Sequence, residues 1–515
     1  MIFSSLTFLQ IFLPITLLLY YIVPMRFKNA ALLLCSLIFY AWGEPVYIIL
    51  MLYSILLNYV CGLLMENHPR ARKQILFFAV LVNLFLLGFF KYAGFLTESF
   101  NSIFGRFGLT LPLREIALPI GISFYTFQAL SYVIDLYRGK FPVQRNLTRF
   151  ALYITMFPQL IAGPIVRYES IAEELESRKL SMARFGRGSM QFIEGLAMKV
   201  LLANQVGGIA DEIRALTPSP AVNAVLSEGT SVVSVLTEGL PVGSGLSTVT
   251  AWLGALAYYF QIYFDFAGYS LMAIGLGHML GFTFIKNFDY PYLSASITEF
   301  WRRWHMSLGT WFREYVYIPL GGNRVSAVKH IRNILIVWML TGLWHGAAWN
   351  FVLWGLYYGL LLLLEKYLLS RIRIPKVIGW LYTTVLVIVG WVFFSGENLA
   401  QSATILKTMF GMGGSLSGLT TQTAQAMTAA QTTAQTSISH VTFFDQTARY
   451  YLSTGWRILL ICGICSTPLP RLLRDRLLRS DAGRAVLTVL YVALLALAIM
   501  FLVVQNYNPF LYFRF

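Results

Sequence analysis

An all-α polytopic membrane protein is predicted by three observations on this 515-residue chain. Apolar residues make up 57% of it and charged residues only 12%, roughly half the charged share of an ordinary soluble domain. The mean hydropathy is +0.64. Apolar runs recur along the whole length, separated by short basic loops. Backbone groups in hydrocarbon must find partners within their own segment, so each run reads as a helix. If half of the chain crosses a layer about 30 Å thick at about 20 residues per crossing, about 11 to 13 spans are expected. The 39 Phe, 29 Tyr and 12 Trp exclude a disordered or fibrous chain.

The first run, MIFSSLTFLQIFLPITLLLYYIVP, has no basic n-region and no small-residue cleavage site, and so reads as a span. Apolar stretches follow at 29–43, 46–65, 74–97, 116–137, 147–166, 190–206, 247–264, 267–285, 331–344, 346–365, 377–395, 455–467 and 485–504, several of them short or interrupted. Residues 215–246 and 397–453, rich in small and polar residues and nearly free of charge, predict polar outward loops. The chain 1–515 is therefore read as one transmembrane domain, with its chemical motifs in 287–365.

The formal charge of +16 does not indicate nucleic acid. Its basic residues sit in short loops: Arg26 and Lys28; Arg70, Arg72 and Lys73; Lys366, Arg371, Arg373 and Lys376; Arg471, Arg474, Arg476 and Arg479. Such clusters face the cytoplasm, which predicts a multi-pass protein of a cell membrane with its N-terminus outward. Cys35, Cys61, Cys462 and Cys465 lie in apolar sequence and read as buried thiols; the Cys-x-x-Cys of the last two lacks the βαβ context of a redox centre.

Seven of the twelve tryptophans fall within 287–365, interleaved with polar groups. Asn287, Asp289 and Pro291 break a helix, and the stretch EFWRRWHMSLGTWFREYVYIPLGGNR then mixes Glu299, Arg302, Arg303, His305, Arg313 and Glu314 with aromatics. This predicts an interfacial or re-entrant segment rather than a plain span. Arg302 and Arg303 read equally as headgroup anchors. His345 is the sharper feature. No Lys, Arg, Asp or Glu lies between Arg332 and Glu365, and an ionisable group at membrane depth is a functional candidate by default. Gly342 and Gly346, then Gly355 and Gly359, stand at the spacing of close helix packing, which also lets a substrate approach the imidazole. His68, His278, His330 and His440 read as structural. The six histidines lack HxxxH or HxxHH spacing, so no metal site is predicted. Asp135 and Asp265 stand in apolar sequence, and each is expected to meet a partner inside the bundle.

FPQLIAGPIVRY at 157–168, the His305 segment at 299–324, LTGLWHGAAWNFVLWG at 340–355 and NYNPFLYFRF at 506–515 resemble the membrane-bound O-acyltransferase family. The resemblance is nearest to the branch that O-acetylates exported polysaccharides such as alginate, with the teichoic acid D-alanyl transferases as cousins. It implies a ring of tilted helices with re-entrant segments around a central tunnel. It also implies that His345 is catalytic and His305 the second essential histidine. Trp304, Arg313, Tyr315, Trp344 and Asn350 are the positions to inspect for substrate contacts or for packing. No bound cofactor is expected; the implied donor is acetyl-CoA or another acyl thioester. The implied partners are an exported or membrane-anchored esterase-fold acetyltransferase and an extracytoplasmic polysaccharide. Broken helices with buried polar groups would also suit a transporter of lipid-linked sugar. No second copy of either histidine segment marks the internal repeat that transporters commonly carry.

Overall fold

The computed structural model describes residues 1–113, 116–161, 163–217, 246–412, 442–505 and 507–511, and the regular elements there are all helical. Five helices among the described residues are long and apolar enough to cross a membrane alone: Ile48–Asn67, Pro69–Phe107, Trp349–Arg371, Lys376–Ser395 and Asp481–Val504. The pair Gln446–Cys465 and Leu469–Leu477 is long and apolar enough only when taken together and is bent by 66°, as a broken span or a re-entrant loop would be. The chain is a polytopic membrane protein, but these are fewer than the about 11 to 13 uniform spans expected.

The reason is that the other helices are short, broken, or covered by protein. Helix Thr248–Leu280 joins two expected spans into one element of 33 residues, buried along most of its length although it carries Gln261, Asp265 and Ser270. The 147–166 stretch breaks into Leu147–Thr155 and Phe157–Leu160 at Met156, with Pro158 in the first turn of the second helix. The first apolar run forms the short helix Phe8–Ile22.

Residues 218–245 and 413–441, most of the two predicted polar loops, lie outside the described residues. The flanks of the second are corrected. Leu399–Met409 is a helix, capped where Asn398 Oδ1 accepts from the Gln401 N–H at 2.9 Å. Gln446–Cys465 is another, capped where Asp445 Oδ1 accepts from the Ala448 N–H at 2.7 Å. Side-chain caps satisfy donors that a helix start would otherwise leave open, and they were legible as Asn398 and Asp445.

The central helix Thr248–Leu280 crosses Met182–Ala197 along a glycine seam. A Cβ on Gly195 would stand 2.4 Å from Gly268 O, and one on Gly188 would stand 2.5 Å from Gly275 O. Backbone against backbone is the mode of packing available where lipid removes the hydrophobic drive between helices. Just beyond the seam, Lys199 meets Asp265 at 2.6 Å with both side chains almost fully buried. Lys199 also donates to Asn204 Oδ1 at 2.9 Å and to the carbonyl of Pro509, and Asp265 Oδ2 accepts from the Leu511 N–H at 2.9 Å. The expected partner of Asp265 is thus Lys199, and the segment 507–511 closes their shell. Asn508 donates to Ser4 O at 2.8 Å, Tyr507 donates to Asp211 at 2.6 Å, and Phe510 packs 4.5 Å from Tyr269.

Polar contacts tie loops and helix ends to one another. Arg145 pairs with Glu66, Arg149 with Glu176, and Arg178 reaches Asn29. Asp135 pairs with Lys140 at 3.0 Å, and Arg167 pairs with Glu314.

The seam gives a test with an internal control. Gly195→Val should destabilise the protein by about 1 to 3 kcal/mol or prevent folding, because overpacking here pushes on backbone. Gly208→Ala should leave the thermal unfolding midpoint in nanodiscs unchanged, since a Cβ there meets nothing within 4 Å.

Candidate active site

Two helices form the hairpin that carries His345. Ala327–His345 ends at the histidine, and Trp349–Tyr367 runs back beside it. They touch through glycine: a Cβ on Gly342 would lie 2.2 Å from Phe351 O, and one on Gly355 would lie 2.2 Å from Trp338 O. Gly346 lies past the helix end, and a Cβ there would enter the Phe351 ring. Gly359 is looser, with Trp338 Cβ at 3.3 Å. The close-packing reading of these glycines therefore holds for Gly342 and Gly355, while Gly346 makes room for a ring.

The carbonyl end of the first helix is covered from Pro69–Phe107. Lys91 Nζ donates to the Trp344 carbonyl and lies 3.3 Å from Ser123 Oγ, and Tyr92 OH donates to Leu343 O at 2.8 Å. A cation at a helix C-terminus meets the negative end of its dipole and satisfies carbonyls that have no partner in the helix. Lys91 and Tyr92 were missed in the sequence. The available signal was a lone cation inside the apolar run FAVLVNLFLLGFFKYAGFL.

Rings hold the His345 imidazole: Trp344 at 5.0 Å, Trp354 at 5.1 Å and Phe394 at 5.2 Å between centroids. The His305 ring lies 6.4 Å away. A cavity of about 350 Å³ reaches Trp344 and His345 and is also lined by Lys91, Glu44, Ser123 and Gly121. Gly121 adopts φ +78°, and a Cβ there would stand 2.8 Å from Leu160 O, so the wall requires glycine.

His305 arrives on a different element. Helix Ile297–Arg303 is anchored at its start by Glu365, whose carboxylate accepts from the N–H groups of Ile297 at 2.6 Å and Thr298 at 2.8 Å. Glu365 belongs to the returning helix of the His345 hairpin, so one side chain ties the two histidine segments together. After Arg303 the chain turns through His305 at φ 44°, a left-handed conformation uncommon for a residue with a side chain. The turn is fixed by the segment 287–289: Asp289 N–H donates to Arg303 O and Met306 N–H to Asn287 O, each at 2.9 Å. His305 is 2% exposed and His345 7%.

The structure thus brings His305, His345 and Trp344 together. Trp304 joins the same aromatic body from behind, 4.9 Å from Trp391 and 5.0 Å from Phe288. Asn350 donates to Gly396 O at 3.0 Å, binding the hairpin to the end of Lys376–Ser395. Tyr315 and Arg313 are not brought to the histidines. Tyr315 OH donates to Asp135 Oδ2 at 2.5 Å within the ion-pair cluster, and Arg313 is exposed. His330 bonds Tyr367 at 3.0 Å and Tyr317 at 3.1 Å, and His278 bonds Gln191 at 2.6 Å. No group of three or more potential metal ligands occurs among the described residues.

Gly342→Ala is expected to force the hairpin apart and lower stability by about 1 to 3 kcal/mol, whereas Gly359→Ala should cost less than half of that. Parallel thermal unfolding of both variants in nanodiscs measures the difference, and equal losses would refute the packing account.

Residues 231–405 match the membrane-bound O-acyltransferase family model. Over its full length the chain is 38% identical to the probable alginate O-acetylase AlgI of Pseudomonas putida, covering 100% of both chains. It is 31% identical to the peptidoglycan O-acetyltransferase of Helicobacter pylori, over 100% of this chain and 98% of that one. A teichoic acid D-alanyltransferase of Streptococcus thermophilus is 29% identical over 47% of this chain and 55% of its own. With whole-length similarity of this degree, the chain belongs to the membrane-bound O-acyltransferase family.

Proposed function

We propose that this O-acyltransferase takes an acetyl group from acetyl-CoA on the cytoplasmic side and passes it across the membrane for O-acetylation of an extracytoplasmic polysaccharide. The observation that carries this reading is the cavity that ends on His345. Its lining residues Glu44, Ile120 and Trp344 lie at helix ends remote from the basic loops. Positively charged short loops face the cytoplasm, so the cavity opens outward, the N-terminus is outward and the acceptor approaches from outside. The thioester must then reach His345 from the other face.

A neutral imidazole at the floor of the cavity takes the proton of an acceptor hydroxyl as its oxygen attacks the thioester carbonyl. The tetrahedral intermediate collapses with release of the thiol. General-base assistance of this kind contributes typically about 10² to 10⁴ in rate. Burial of His345 among Trp344, Trp354 and Phe394 keeps water away from the thioester. A cavity of about 350 Å³ accommodates a side chain or a sugar unit but not a long polymer. As the family resemblance implies, the receiver is an exported or membrane-anchored esterase-fold partner that completes transfer to the polysaccharide. Similarity to an alginate and to a peptidoglycan O-acetyl-transferring protein at full length supports acetyl as the group moved.

The test is release of free CoA from radiolabelled acetyl-CoA by the purified protein in nanodiscs, with and without the exported partner. Wild type should release CoA, and His345→Ala should lose at least about 100-fold with its unfolding midpoint preserved. Turnover only with an acyl-carrier thioester would replace the donor by the D-alanyl-type one. No turnover with either donor would overturn the transfer reading in favour of transport.

A further inference from the structure

Asn287 stands where its side chain decides which nitrogen of His305 carries the proton. Its Oδ1 accepts from the Ser307 backbone N–H at 3.1 Å and from Ser307 Oγ at 2.9 Å. Its Nδ2 lies 3.0 Å from Ser270 Oγ. A backbone N–H can only donate, so the amide is fixed with its oxygen toward Ser307. The same oxygen lies 3.3 Å from His305 Nδ1. An oxygen that only accepts cannot face a bare ring nitrogen without repulsion, so Nδ1 carries the hydrogen. Ser307 Oγ, 3.4 Å from Nδ1, has given its proton to Asn287 and offers that N–H a second acceptor.

The other nitrogen is left as a lone pair. His305 Nε2 is buried and, among the described residues, has no hydrogen-bond partner. The ring faces Phe266 at 4.7 Å, Trp344 at 5.9 Å and His345 at 6.4 Å, and none of them hydrogen-bonds to Nε2.

From this geometry we infer that Asn287 is a positioning residue that holds His305 as the Nδ1–H tautomer, presenting a proton-accepting Nε2 to a hydroxyl-bearing substrate beside His345. The assignment of a role rests on the acyl-transfer reading above. The tautomer itself does not. A neutral imidazole with a bare Nε2 has no hydrogen to give an oxyanion. It can accept one from an O–H or N–H of the bound acceptor, holding the attacking hydroxyl where His345 takes its proton. The left-handed turn at His305 and the paired backbone of Asn287 and Met306 hold this arrangement before substrate arrives.

The experiment is solid-state NMR of the full chain in nanodiscs with ¹⁵N-labelled histidine, the His305 signals being those absent from His305→Ala. Wild type should show Nδ1 protonated and Nε2 bare at pH 7.5. An Nε2–H signal for His305 in wild type would overturn the proposal whatever the enzyme transfers. Asn287→Leu should shift the population toward Nε2–H and lower kcat by about 10- to 100-fold, part of what a positioned imidazole contributes, with KM for the thioester unchanged. Asn287→Asp, which keeps the accepting oxygen, should retain the Nδ1–H tautomer and recover most of kcat. A tautomer unchanged in Asn287→Leu would also overturn it. Absence of turnover in wild type would count against the transfer reading alone.

Discussion

The approach of two backbones at the glycine seam is the constraint on which the remaining structure rests. Helix Thr248–Leu280 runs through the middle of the molecule, and Gly268 and Gly275 let it lie directly on Met182–Ala197. That contact sets the register at which Lys199 meets Asp265. A charge pair removed from both water and lipid is held by geometry, since its desolvation is offset only when every remaining lone pair and proton is used. Asn204, Pro509 and Leu511 supply those bonds. The same helix contributes Ser270, which bonds Asn287, and Phe266, which backs His305. Packing at the centre is thereby transmitted to the second histidine.

The site follows a comparable logic. Each imidazole is placed by an element end rather than by the middle of a helix: His345 at the terminus capped by Lys91 and Tyr92, His305 at the turn pinned by Asn287. Helix ends expose backbone donors and acceptors, and those must be satisfied wherever water is scarce. The side chains that satisfy them also fix the rings. Glu365 connects the two placements, so the separation of the imidazoles is set by a carboxylate on two amides.

Much of this was legible in the sequence, and the exceptions share a cause. His305, His345 and Trp344 stand in unusual local sequence and prove to be neighbours. The buried partner of Asp265 was expected from cost alone. Fewer candidate spans stand out than the count expected because hydropathy measures affinity for lipid, and a helix such as Thr248–Leu280 is covered by protein instead. Arg313 and Tyr315 share a motif with His305 but not its location, because the π-helical turn Arg313–Tyr317 carries Tyr315 to Asp135 and leaves Arg313 exposed. Asn287 was legible only as a helix breaker; that it also bonds His305 depends on a pairing between 287–289 and 303–307, which no periodicity announces.

The docking of segment 507–511 bears on how the protein is made. Lys199 and Asp265 leave the ribosome some 250 to 310 residues before Leu511 and Pro509, the groups that complete their shell. Throughout that interval the growing protein holds an ion pair in the membrane with bonds still unmade. The shell is therefore closed by chain that emerges well after both charged partners, and Asn508 bonds the carbonyl of Ser4 from the far end of the described chain. A cell that degrades membrane proteins with exposed intramembrane charge would have in this docked segment a physical sign that the shell of the Lys199–Asp265 pair is closed.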